Sequence, residues 1–231
     1  MIQRDKYSDR RYDGMCSYCG GNGNTKDHVP SKVLLDEEYP TNMHKVDCCF
    51  ECNQSFSSDE VYFACLIECI IHGSTNPEEI SRPKIKRILT KKEHLRRKIS
   101  ESMSVHGDTH VFQIDEKAVE NVLMKLARGH AAFEASQPRL NPPSFFGYKP
   151  LHLMTEQERE CFISAQETEI FPEVGSRLFN QLVLDNSNTP FSSWITVQEN
   201  AYLYMVTSQI SRFSVKLIIW DYLAAEAIWE D

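Results

Sequence analysis

Two C-x2-C pairs, Cys16 with Cys19 and Cys49 with Cys52, constrain this chain more than any other feature. Paired turns of this spacing present thiolates that can close on one tetrahedral ion with little strain, and zinc is the ion such sets favour. Four thiolates leave no open coordination position, so the ion would act as a staple rather than a reactant. A single ion gripping both pairs would fix the ends of the intervening segment, in a region with too little core to hold itself. Cys48 competes with Cys49, but only Cys49 has the x2 spacing to Cys52.

The bracketed segment carries Lys26-Asp27-His28-Val29-Pro30 and Thr41-Asn42-Met43, and Asn53 follows the second pair directly. Cleaving a phosphodiester needs a water, a base for its proton, and positive charge for the developing anion. A histidine titrating near pH ~6.5 offers a neutral imidazole as that base, which makes His28 the candidate. Asp27 offers a carboxylate and Asn53 a carbonyl oxygen, the hard ligands that Mg²⁺ or Mn²⁺ prefers. In isolation Asp27 and His28 would be ordinary loop residues, and Asn42 and Asn53 ordinary turn or helix-start residues. Their position between two knuckles is what singles them out.

The order C-x2-C, D-H-x-P, N, C-x2-C-N over roughly residues 14 to 73 resembles the HNH endonucleases, which carry the ββα-metal fold. The family pattern H…N…H or H…N…N reads here as His28, Asn42 and Asn53, with Asn in the third position. The resemblance implies that Asp27 and Asn53 ligate a catalytic Mg²⁺ or Mn²⁺ and that Asn42 braces the loop carrying His28. It implies metal-dependent hydrolysis of DNA leaving a 3′-hydroxyl, in the manner of bacterial or phage defence and mobile-element nucleases. Two rivals stay open: a zinc module that binds nucleic acid or protein without cutting, and an RNA-cleaving nuclease.

Charge is distributed unevenly. The formal net charge is −8, and residues 151–231 account for all of it, with twelve Asp or Glu against four Lys or Arg. The attraction for a polyanion is therefore local. It centres on Lys84, Lys86, Arg87, Lys91, Lys92, Arg96, Arg97 and Lys98, interleaved with Ile85, Ile88, Leu89 and Leu95. That spacing suits one amphipathic basic helix within 81–103, serving either as a solvated face or as the DNA-binding surface.

These features divide the chain into an HNH-like module at 1–75, a helical segment at 76–150 and an acidic α+β part at 151–231. Residues 1–13 read as a polar arm or short helix. A capping box Ser57-x-x-Glu60 and Gly73 predict a helix over about 58–72. A short strand is expected at 109–115, a helix at 116–134, a loop at 138–150 and an acidic helix at 156–166. A hairpin turning at Glu199-Asn200 and a strand at 213–220 follow, while 224–229 fits helix or strand. The fold class is α+β, with a small antiparallel C-terminal sheet whose core takes Trp194, Tyr202, Tyr204, Trp220 and Trp229 rather than offering them to bases.

No apolar run reaches the ~20 residues of a membrane span, and the charged N-terminus lacks a signal peptide's apolar stretch. A cytoplasmic location is the expectation, with the eight cysteines as metal ligands and buried thiols. Cys65 and Cys69, four apart on a helix, read as core residues. The C-terminal part matches no motif; homodimer formation, target selection and binding of a regulatory protein are the roles open to it.

Overall fold

A computed structural model describes residues 12–107, 109–164, 166–168, 174–184, 191–192 and 194–230. The expected N-terminal arm lies almost entirely outside the described residues. The fold is mixed α+β, as the sequence leads one to expect. A hairpin of β1 (Thr25–Val29) and β2 (His44–Cys48) runs directly into a 23-residue helix, α1 (Phe50–His72). Two short helices follow, α2 (Pro83–Lys91) and α3 (Glu93–Glu101), then a small hairpin of β3 (Met103–His106) and β4 (Thr109–Phe112). Helix α4 (Glu116–Ala135) leads to β5 (Phe145–Pro150) and α5 (Glu156–Ile163). After β6 (Gln166–Glu167), α6 (Arg177–Leu184) and β7 (Phe191–Ser192) come β8 (Ile195–Gln198), β9 (Tyr202–Gln209), β10 (Arg212–Ile219) and β11 (Leu223–Glu230). Five of these strands form one antiparallel sheet in the order β5-β11-β10-β9-β8.

Three elements differ from expectation, each for a local physical reason, and one open choice is settled. Helix α1 begins at Phe50 because the Cys49 sulfur caps it, accepting from the Cys52 N–H. Ser57 therefore lies inside the helix, its hydroxyl turned back onto the Asn53 carbonyl, a bond that serines use in mid-helix as readily as at a cap. Gly73 ends the helix as expected, in the left-handed conformation at φ 61°.

The basic segment is two helices rather than one, broken where Lys92 leaves helical geometry at φ −104°, ψ 70°. Ile85 and Leu89 bury one helix and Leu95 and Ile99 the other. The apolar spacing is compatible with one continuous helix, and the break at Lys92 is set by its own backbone geometry. The segment expected to be a loop up to Pro150 instead ends in β5, an edge strand, where Gly147 and a terminal Pro150 are tolerated. Residues 224–229 resolve as strand β11, paired on both sides.

Helix α4 organises the interior. It touches β1, β2, α1, α6 and three strands of the sheet. Gly129 lets it approach β1 closely, since a Cβ there would stand 2.6 Å from a Val29 methyl. One hydrophobic cluster runs from Leu34 through Phe63, Leu126 and Tyr204 to Trp229. Trp220 and Trp229 hand their indole N–H groups to the carbonyls of Leu34 and Asn141, both at 3.0 Å.

Polar groups also cross this interface. The Tyr204 hydroxyl on β9 donates to Glu134 of α4 at 2.5 Å, and Arg177 of α6 lies 3.3 Å from the same carboxylate. His44 of β2 stacks on Phe133 with 4.0 Å between ring centroids. Burial and then the Arg177 charge hold His44 down to about 4, so it packs as a neutral ring. Among the described residues no helix is long and apolar enough to cross a membrane.

Phe63 is fully buried in this cluster. Phe63→Ala is expected to cost about 3–5 kcal/mol of stability, the usual penalty for an aromatic cavity, measured as a lowered urea midpoint at unchanged slope.

Candidate metal centre and the Asp-His element

The first knuckle is a tight turn between a carbonyl of its own and β2. Cys16 N–H donates to the Gly21 carbonyl at 2.7 Å, Gly20 N–H to the Cys16 carbonyl at 2.9 Å, and Ser17 N–H to the Asp47 carbonyl at 2.9 Å. Gly20 sits at φ 77°, a conformation that suits glycine. The second knuckle is the junction of β2 with the first turn of α1. Together they bring the sulfurs of Cys16, Cys19, Cys49 and Cys52 within 4.8 Å of one another, with Cys19 and Cys49 3.7 Å apart. A tetrahedral ion with Zn–S bonds of about 2.3 Å separates its sulfurs by roughly 3.8 Å, so these four could hold a metal such as zinc.

The thiols differ: Cys16 is drawn toward thiolate, while Cys49 is raised and burial pushes Cys52 far upward. Burial pushes the Cys16 thiol up, but backbone N–H groups of Cys49, Tyr18 and Cys19 aimed at its sulfur outweigh burial and bring it down to about 7. Cys48 behaves oppositely: burial drives its pKa far upward, and its S–H donates to the Cys49 carbonyl at 3.2 Å. The Cys48 sulfur also stands outside the group of four that lie within 4.8 Å of one another. Cys65 and Cys69 are buried in the core, each pushed by burial to about 12, and act as small apolar residues.

The hairpin sorts the bracketed residues onto two faces. Pairing runs Thr25 with Cys48, Lys26 with Asp47, Asp27 with Val46, His28 with Lys45 and Val29 with His44. Alternation puts Lys26, His28, Lys45 and Asp47 on one face, and Asp27 with the buried Val29, Val46 and Cys48 on the other. His28 therefore looks outward among cations. Burial lowers its pKa below the usual 6.5, and the charges of Lys32 and Lys45 lower it further, against a weaker pull from Asp27. It is a neutral imidazole at neutral pH. Asn42 lies exposed in the turn ahead of β2. Asn53 turns its amide N–H₂ to the Thr25 hydroxyl at 3.2 Å and the Lys26 carbonyl at 3.5 Å, tying the start of α1 to β1.

Asp27 faces inward and is fully engaged on one oxygen. The Tyr18 hydroxyl donates to Oδ2 at 2.6 Å, and the Lys125 ammonium lies 2.8 Å from the same atom. Lys125 also reaches Glu60 at 2.7 Å, the Ser31 hydroxyl at 2.7 Å and the His28 carbonyl at 3.3 Å. Its side chain is 0% exposed. A divalent ion on Asp27 would stand beside this unscreened ammonium, so the Asp27–Asn53 pair does not fit Mg²⁺ or Mn²⁺ in this arrangement. Among the described residues the four cysteines are the one His, Cys, Asp or Glu group of three or more that could hold a metal.

The basic helices are largely neutralised by acidic neighbours. Lys86 pairs with Glu78 at 2.6 Å, Arg87 with Glu37 at 2.8 Å and Lys98 with Asp115 at 2.9 Å. Arg97 reaches Glu101 at 3.8 Å and Arg96 reaches Glu93 at 4.0 Å. Lys84 caps the carbonyls of Lys32 and Leu35. Lys91 and Lys92 are exposed, with no acidic partner among the described residues.

The sequence reading missed Tyr18, Lys32, Lys45, Glu60 and Lys125. The available signal was Lys125 itself, a lysine flanked at helical spacing by Val122 and Gly129 on the buried side of α4. Comparison with models of protein families, with curated proteins and with solved structures finds no match for this chain.

Two outcomes are expected. Cys49→Ser should remove the bound metal and unfold the hairpin, since structural zinc contributes on the order of 10 kcal/mol in small modules, whereas Cys48→Ser should keep it. Elemental analysis of both proteins is the check. Lys125→Ala leaves two carboxylates without their ammonium and should cost about 3–5 kcal/mol in urea denaturation, more than truncating an exposed lysine.

Proposed function

We propose that this chain is an HNH-type nuclease that hydrolyses phosphodiester bonds of DNA, with the four cysteines holding a structural zinc. The observation that carries this reading is a neutral His28 facing outward between Lys32 and Lys45, on a hairpin closed by four thiols and continued by a helix. The order hairpin, knuckle, helix is the ββα arrangement that the sequence resemblance implies. His28 takes the proton of an attacking water as the oxygen bonds to phosphorus, while the P–O3′ bond breaks and the leaving 3′-oxygen takes a proton from water. Lys32 and Lys45 attract the phosphate and offset the charge that grows on it. The C-terminal part is too acidic to share in this. Lys91 and Lys92, exposed at the end of α2, would hold the backbone without reading sequence. All eight cysteines are free thiols, which suits the reducing cytoplasm.

One observation favours a second reading, cleavage of RNA. The engaged Asp27 leaves no fitted cation, and RNA supplies its own nucleophile. The 2′-oxygen would bond to phosphorus, its proton passing to His28, while the P–O5′ bond breaks and the leaving oxygen takes a proton from water. The product would carry a 2′,3′-cyclic phosphate.

Purified protein incubated with plasmid and with RNA, each in EDTA and in Mg²⁺ or Mn²⁺, tests both readings. The DNA reading expects cut plasmid that His28→Ala abolishes at unchanged zinc content. Intact plasmid beside cyclic-phosphate RNA ends would move the function to RNA, and no cleavage of either would leave a binding module. Because the His28 pKa is depressed, the acid limb of the rate should lie below that of an ordinary histidine. Lys45→Ala removes one depressing charge and should move that acid limb to higher pH.

A further inference from the structure

We propose that Lys125 is a built-in counter-cation to Asp27 that shuts divalent ions out of the Asp-His element. This holds whatever reaction His28 performs, because it concerns which charge stands beside Asp27.

An ammonium has three N–H groups to give. Lys125 faces four acceptors: Asp27 Oδ2 at 2.8 Å, Glu60 Oε1 at 2.7 Å, Ser31 Oγ at 2.7 Å and the His28 carbonyl at 3.3 Å. Each neighbour is held in turn. The Ser31 hydroxyl donates onward to Glu60 at 2.5 Å, and the Tyr18 hydroxyl gives Asp27 Oδ2 a second donor at 2.6 Å. Burial, followed by the Asp27 charge, holds the Tyr18 phenol in its protonated, donating form. One ammonium faces two carboxylates, so the cluster keeps one negative charge, but the two donors aimed at Asp27, Lys125 and Tyr18, converge on the same oxygen, Oδ2.

Access points the same way. The Asp27 and Glu60 side chains are 13% and 17% exposed, and Lys125 is not exposed at all. Mg²⁺ gives up its waters reluctantly and needs an open carboxylate with room around it. Lys125 is held inside: its side chain is fully buried on α4, and its ammonium lies 5.9 Å from the centre of the Phe56 ring. A +2 ion and an ammonium sharing one carboxylate oxygen would repel at close range, with little screening beside a fully buried ammonium.

Removing the ammonium should reverse the exclusion. Lys125→Met keeps the apolar stem and leaves the carboxylates of Asp27 and Glu60 facing the space that the ammonium filled. Two carboxylates with a hydroxyl and a carbonyl between them are an oxygen set suited to a hard divalent cation.

The test titrates Mn²⁺ alone into the zinc-loaded full chain at neutral pH and reads free Mn²⁺ by electron paramagnetic resonance. Wild type and Asp27→Asn should take up equal amounts. Folded Lys125→Met, judged by zinc content and circular dichroism, should gain one Mn²⁺ per chain, and adding Asp27→Asn should abolish the gain. A wild type that loses one equivalent on Asp27→Asn overturns the proposal. So does a folded Lys125→Met protein with no gain. Should Lys125→Met fail to fold, the wild type against Asp27→Asn decides alone. No outcome depends on cleavage, so failure here is distinct from failure of the nuclease reading.

Discussion

A single buried ammonium ties together segments that would otherwise have little reason to stay in register. Lys125 arrives from α4 and meets β1 at Asp27, the loop after it at Ser31, and α1 at Glu60. The four thiols close the open end of the hairpin, while Lys125 pins the end that carries His28. The two devices act on different faces. The knuckles fix the path of the backbone, and the lysine fixes which way β1 turns its side chains. With Asp27 drawn inward, alternation along the strand sends His28 outward to Lys45 and Lys32. The candidate base thus owes its direction to a residue 97 positions away that never reaches the surface.

What could be read from the sequence was local. The C-x2-C spacing places its sulfurs without help from the rest of the chain, and Cys49 over Cys48 follows from the same spacing. Helix α4 and the strands β8 to β10 follow from the periodicity of their apolar residues. Partners distant in sequence were not legible. Lys125 falls on the buried side of the helical pattern of α4, but its partners on β1 and α1 cannot be read from that pattern. Ser57 and Glu60 have the spacing of a helix start, yet the helix starts at a cysteine because the knuckle makes that cysteine a cap. Strand β5 was hidden by Gly147 and Pro150, which break a central strand but not an edge.

The basic run teaches a related lesson about charge. Its cations are contiguous in sequence, which suggested a surface for a polyanion. Folding brings Glu37 to Arg87 from 50 residues away, and Glu78 and Asp115 to Lys86 and Lys98. Exposed pairs of this kind add little stability, yet they cancel the field that a phosphate would feel. Lys32 and Lys45 are separated in sequence and form no run. The fold sets them where both depress the His28 pKa. A local excess of positive charge is a property of the folded surface, and the linear order of lysines is a poor guide to it.

The bridge between α4 and β1 also bears on how such a chain could arise and be reused. A segment ending after α1 would contain every cysteine of the metal site and the whole Asp-His element, and by sequence it would look transferable. It would also carry Asp27 and Glu60 with no ammonium between them, and His44 with no Phe133 to stack on. Recombination that moved this piece into another gene would deliver a damaged hairpin unless the recipient supplied an interior cation of its own. The hairpin therefore leans on α4, and a substitution at any one of Lys125, Asp27 and Glu60 changes what the other two must balance.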